Sequence, residues 1–182
     1  MAKKRLFVGT MVQIPNLHLV KEEMDKLNIT GKWVERENLH FTYRFLGEVE
    51  EEKIPQIGLA LKGRLKGIKP PKVKYRGLGV FRNRGIPKVL WIGVESEELN
   101  EVKRRIDQSL MVFGFSPEED FTPHVTLLRI KHFRHRGKFN SYLFKMKNFL
   151  FAERLENKVS LVESKLTPSG PKYTVLEEFI LG

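Results

Sequence analysis

A four-residue pattern occurs twice in this chain of 182 residues, the copies being His40-Phe41-Thr42-Tyr43 and His124-Val125-Thr126-Leu127. They start 84 residues apart, one in each half of the chain. Both segments are rich in aromatic and β-branched residues and read as strands. Strand side chains alternate between two faces. His40 and Thr42 therefore share one face, and His124 and Thr126 share one face. Phe41, Tyr43, Val125 and Leu127 take the opposite faces, where apolar packing holds each strand still. If the halves pack as related lobes, two imidazoles and two hydroxyls face one cleft.

The rest of the sequence supplies elements for such lobes. Leu6 to Thr10, Lys32 to Glu35 and His40 to Leu46 read as strands, the last ended by Gly47. Leu17, Val20, Met24 and Leu27 fall at helical spacing behind an Asn16 cap. Ile54, Ile57, Leu61 and Leu65 mark a second helix, ended by Gly63, Gly67 and Pro70-Pro71. Strands near Lys72 to Val80 and Lys88 to Val94 flank a hairpin loop, Arg82-Asn83-Arg84-Gly85. Ser96 caps a third helix with an inner face of Leu99, Val102, Ile106, Leu110 and Phe113, stopped at Gly114. A strand over Pro123 to Ile130 precedes a basic loop, Lys131 to Lys138, and a short helix around Phe139, Leu143 and Met146. Strands Val159 to Leu166 and Tyr173 to Ile180 are joined by Pro168-Ser169-Gly170-Pro171. The mixture predicts an α+β fold. No long linker divides the chain, so residues 1–182 are expected to form a single two-lobed domain.

Composition narrows the class. Apolar residues make up 41% of the chain, enough for a core, and there is no cysteine for a disulfide, a thiolate metal site or a thiol nucleophile. Apolar runs are too short for a membrane span or a secretory leader, so a soluble cytoplasmic protein is expected. Lys plus Arg is 33 against 22 for Asp plus Glu, a formal net charge of +11. The excess is concentrated: Lys53 to Val94 holds eleven basic residues and no acidic one. A second acid-free stretch runs from Phe121 to Ala152, with Arg129, Lys131, Arg134, Arg136, Lys138, Lys145 and Lys147. Segregated charge of this kind attracts polyanions such as RNA; a solvated lysine-rich surface is the plainer alternative.

The doubled His-x-Thr suits phosphoester chemistry. In an in-line displacement, one imidazole takes a proton from the attacking hydroxyl or water, and the other gives one to the departing oxygen. Imidazole titrates near 6.5, so both forms are accessible near neutrality. Threonine hydroxyls hydrogen-bond non-bridging oxygens and orient the phosphate. The arrangement requires no metal or other cofactor. The residues alone do not say which histidine is acid and which is base.

With these motifs the chain resembles the two-histidine phosphoesterase superfamily, and within it the RNA 2′,3′-cyclic phosphodiesterases, historically called 2′-5′ RNA ligases. The resemblance spans Arg5-Leu6-Phe7-Val8, Glu37 to Val49, Phe121 to Arg129, Leu161-Val162-Glu163-Ser164 and Gly170-Pro171-Lys172-Tyr173. The chain departs from the family at Thr10 to Asn16, where the family turns sooner after its first strand. The resemblance implies two pseudo-symmetric lobes, each an antiparallel sheet flanked by helices, around a central cleft. It implies hydrolysis of a terminal 2′,3′-cyclic phosphate to a 2′-phosphomonoester, with His40 donating a proton to the ribose 3′ oxygen and His124 activating water. Ligation to a 2′-5′ linkage is the related transfer in which a 5′ hydroxyl replaces water. The implied partners are RNAs with cyclic phosphate ends, tRNA fragments among them, met by a monomer. A non-catalytic RNA- or nucleotide-binding module of the same fold, and a phosphodiesterase for small cyclic nucleotides, are the alternatives.

Thr42, Thr126 and Arg129 are the expected substrate-binding residues. Arg129 lies five residues past His124, so strict alternation turns it away from the cleft unless a strand end or a bulge brings it back. The resemblance implies an arginine on the phosphate at this position; a solvated surface role is the alternative. Arg44 has the parity of His40 and faces either the phosphate or the strand's rim. Phe7 is expected in the core rather than under a nucleobase, and Trp33 and Trp91 in packing. His132 and His135 belong to a basic loop touching RNA rather than to a metal site, and His18 to the surface.

Overall fold

The structure, a computed structural model, describes residues 2–182. Nine strands and four helices alternate in it: β1 (Lys3–Met11), α1 (Leu17–Lys26), β2 (Thr30–Trp33), β3 (His40–Glu50), α2 (Ile54–Leu65), β4 (Lys72–Asn83), β5 (Ile86–Glu95), α3 (Leu99–Leu110), β6 (His124–His132), α4 (Arg136–Met146), β7 (Leu150–Leu155), β8 (Lys158–Thr167) and β9 (Gly170–Ile180). The strands form two antiparallel sheets, one ordered β3-β1-β8-β9 and the other β2-β6-β5-β4-β7. This is the α+β, two-lobed architecture that the sequence predicts.

The sheets are not made from successive halves of the chain. β2, from the N-terminal half, pairs with β6 in the second sheet, while the C-terminal hairpin β8–β9 completes the first. Apolar faces from both sheets and all four helices merge into one core. Phe41, Tyr43, Val125 and Leu127 are all buried in it, as alternation requires. α2 and α3 pack together against the first sheet, and α4 packs against β4 of the second.

Several local expectations change. Gly47 does not end β3: its left-handed backbone (φ 69°) sits at a bulge, and pairing with β1 continues to Glu50. Gly63 lies inside α2. Asn16 makes no side-chain cap on α1. Ser96 Oγ accepts a hydrogen bond from the Glu98 backbone N–H at 3.2 Å, just ahead of the α3 start at Leu99. The basic loop after β6 shrinks to Phe133–His135, because β6 runs on to His132 and α4 begins at Arg136. β7, with polar and apolar residues on both faces of an edge strand, has no counterpart in the sequence reading.

Candidate active site

The two His-x-Thr segments begin β3 and β6, and their polar faces meet across one cleft of about 1100 Å³. His40, Thr42, His124, Thr126 and Arg129 all line it. Each histidine is held in the same way. Nδ1 of His40 donates to the Asn38 carbonyl at 2.8 Å, and Nδ1 of His124 donates to the Thr122 carbonyl at 3.0 Å. A carbonyl oxygen only accepts, so both Nδ1 atoms carry a proton. Nε2 of each ring is then the nitrogen free to take up or release a proton.

Aromatic rings fix the imidazole planes. Phe7 stacks on His40 with centroids 4.7 Å apart, and Tyr173 meets it edge-on at 5.1 Å. Phe81 meets His124 edge-on at 4.9 Å, with Trp91 behind it at 6.2 Å. Trp91 gets there because its pair partner is Gly79: a Cβ at that position would lie 2.2 Å from the indole. Phe7 is buried, as expected, yet its face is spent on a histidine, and Trp91 does more than fill the core.

The strand registers settle the parity of the two arginines. In the β1–β3 ladder Gly9 pairs with Thr42 and Val8 with Arg44, so Tyr43 is an extra residue. In the β5–β6 ladder Trp91 pairs with Thr126 and Leu90 with Leu128, so Leu127 is an extra residue. Each motif therefore carries a bulge at its fourth position, and each bulge resets the alternation. Arg129 swings onto the His124 face and lines the cleft. Arg44 loses the parity of His40 and is 8% exposed at the cleft's edge, with its guanidinium 3.1 Å from Asp107 and 3.5 Å from Glu118. Lys103 completes that cluster at 3.0 Å from Asp107 and 2.7 Å from Glu118.

Electrostatics differ between the two rings. Burial lowers the His40 pKa from its ordinary 6.5, against its backbone hydrogen bond, and the positive charges of His124 and Arg129 lower it further. Burial raises the Tyr173 phenol, and Arg129 opposes that rise. Arg129 thus acts across the cleft on both groups beside it.

Three cations in the cleft were not anticipated: Arg5, Lys32 and Lys172. Their signal was weak, since Lys32 and Lys172 are each the lone cation of a strand and Arg5 belongs to a short basic terminus. Lys32 Nζ also donates to the Ser169 carbonyl, and Asn38 Nδ2 donates to the Pro171 carbonyl at 3.3 Å, which ties the β8–β9 turn to the β2 side of the cleft. Conversely, none of the eleven basic residues of the Lys53–Val94 stretch lines the cleft. His132, His135 and His18 are exposed. Among the described residues no cluster of three or more His, Cys, Asp or Glu side chains is placed to hold a metal, and no helix is long and apolar enough to cross a membrane.

The family model for LigT-like phosphoesterases matches the chain twice, over residues 11–91 and 92–173, each match containing one His-x-Thr. The chain belongs to the LigT-like phosphoesterase family. Among its LigT-like relatives, an RNA 2′,3′-cyclic phosphodiesterase of Aquifex aeolicus is 40% identical over 167 residues, covering 90% of this chain and 88% of that one. Another, from Methanocaldococcus jannaschii, is 38% identical over 181 residues, covering 96% and 99%. The crystal structure of a Thermus thermophilus protein, TT0787, superposes with a TM-score of 0.76 at 32% identity, covering 97% of each chain. The two-lobed LigT-like fold is therefore shared over essentially the whole length.

Proposed function

We propose that this protein is a hydrolase that opens the terminal 2′,3′-cyclic phosphate of RNA to a 2′-phosphomonoester, using His40 and His124 as acid and base. The observation that carries this reading is the pair of imidazoles on one cleft, each pinned through Nδ1 and each presenting Nε2. The names of the relatives support the substrate class.

In the reaction, His124 Nε2 takes a proton from water as the water oxygen attacks phosphorus. The bond from phosphorus to the ribose 3′ oxygen breaks on the opposite side. His40 Nε2–H gives its proton to that oxygen, leaving a 3′ hydroxyl and a 2′ phosphate. Burial and the nearby Arg129 charge make protonated His40 a stronger acid than a free imidazolium, which supports its role as donor. Thr42 and Thr126 orient the non-bridging oxygens, and Arg129 stabilises the charge that builds on them. A 5′ hydroxyl in place of the water gives a 2′-5′ linkage by the same proton transfers.

The test is incubation with a short RNA ending in a 2′,3′-cyclic phosphate, followed by analysis of the product end. A 2′-phosphomonoester is expected. A 3′-phosphomonoester would overturn the assigned leaving group, and binding without turnover would make the protein a binding module.

A further inference from the structure

β2 and the turn after it form a wall with the catalytic cleft on one side and a second cavity, of about 570 Å³, on the other. Trp33 and Val34 line both spaces. The floor of the second cavity is apolar, built from Ile14, Leu17 and Leu39 with the Trp33 indole. Its charged lining consists of Lys21, Arg36 and Arg154, with no carboxylate. None of these three cations is paired with a carboxylate among the described residues, whereas Lys26, on the same helix as Lys21, is bound to Glu23. Lys21 Nζ lies 5.9 Å from the centre of the Trp33 ring. The start of α1, which has no side-chain cap, opens on the same space through Asn16, Leu17 and His18.

Unpaired cations converging on an apolar floor select a ligand that is anionic and has a hydrophobic face. A nucleotide has both: its base stacks on an indole, and its phosphate takes up the cations. The volume is in the range of small-molecule sites, which run from about 300 to 1,000 Å³. Continuity decides which nucleotide. An RNA whose cyclic phosphate end lies in the cleft continues only upstream, and this cavity borders the cleft at the Trp33–Val34 segment that lines both.

We propose that the second cavity is a subsite for an upstream nucleotide of the substrate RNA, with its base against Trp33 and its phosphate held by Lys21, Arg36 and Arg154. This rests on the cleft being the site of cyclic phosphate hydrolysis. The subsite makes the enzyme prefer a strand to a mononucleotide, and the preference comes from binding, not from the chemical step.

The experiment compares a nucleoside 2′,3′-cyclic phosphate with cyclic-phosphate-ended oligonucleotides of increasing length. It uses the wild type, the single variants Lys21→Gln, Arg36→Gln and Arg154→Gln, and their combination. For the wild type, KM is expected to fall by about tenfold from the mononucleotide to the oligonucleotides. The combined variant is expected to lose that gain while its kinetics on the mononucleotide stay unchanged, with each single variant losing part of it. A length-dependent gain that survives in the combined variant overturns the subsite, as does an equal loss on both substrates. Affinity for an oligonucleotide ending in a plain 3′ hydroxyl, followed by tryptophan fluorescence, keeps the test separate from catalysis. It is expected to weaken in the variants and to lose about 0.7 of its logarithmic salt slope per phosphate contact removed. If no cyclic phosphate is turned over, the hydrolase reading fails, and equal affinity of wild type and variant in this assay overturns the subsite on its own.

Discussion

The halves around His40 and His124 share a plan and differ in what surrounds it. Both place a histidine and a threonine at the start of a strand, bulge at the fourth motif position, and pin Nδ1 to the carbonyl two residues back. The residue one step beyond the bulged pair is Phe45 in one half and Arg129 in the other. Phe45 stands 69% exposed at the cleft mouth, while Arg129 sends its charge across to the opposite histidine. His40 lies under the stacked face of Phe7, and His124 meets only ring edges and a distant indole. In the proposed mechanism the doubled scaffold supplies the symmetry that in-line displacement needs, and the residues around it, which differ between the halves, assign the two imidazoles different work.

The largest effect should come from removing either imidazole. His40→Ala and His124→Ala are each expected to lower kcat by about 10²–10⁴-fold with little change in RNA affinity. Steady-state kinetics together with binding to an unreactive RNA will show this, and near-normal hydrolysis by either variant would end the two-imidazole mechanism. The two arginines should part next. Arg129→Ala is expected to lower kcat/KM by about 10–100-fold at unchanged thermal stability. Arg44→Ala leaves the buried Asp107 carboxylate short of a partner and is expected to cost about 3 kcal/mol, read as a lower melting temperature. If the two variants trade phenotypes, the bulge-based assignment is wrong.

The smallest effect concerns pH. Burial favours the neutral form of His40, so its protonated fraction is lost at a pH lower than an ordinary imidazole would require. A donor must hold its proton. The basic limb of kcat/KM for the free enzyme is therefore expected below 6.5, the ordinary value. Phe7→Ala admits water beside the ring and should move that limb to higher pH by less than about one unit, whereas Phe81→Ala should leave it in place. The opposite result would exchange the acid and the base.

Much of this was legible before any coordinates. The motif positions, the strand faces and the apolar backs of both strands follow from period-two alternation, and Phe41, Tyr43, Val125 and Leu127 are buried as it requires. Nothing in the residues marks either bulge, because Tyr43 and Leu127 are ordinary strand residues with no glycine or proline at the inserted position. The β6 bulge was expected only as a way to return Arg129 to the cleft, and the β3 bulge not at all. One inserted residue in each strand was enough to commit Arg44 to Asp107 and Glu118 and to swing Arg129 into the site. The cleft's own cations were hidden for a different reason: Arg5, Lys32 and Lys172 come from separate strands and meet only in three dimensions, whereas the conspicuous basic run lies elsewhere. β7 escaped because an edge strand exposed on both faces keeps no clean alternation.

The exchange of strands between the sheets has a mechanical consequence. β2 leaves its own half to border β6, and β8–β9 return to border β1, so the two halves are laced together like clasped hands. The histidines lie in different sheets, on β3 and β6, and no strand ladder joins those sheets. The chain itself ties them, crossing between the sheets four times around one shared core. The gap between the imidazoles is therefore set by the routing of the chain, before any substrate arrives.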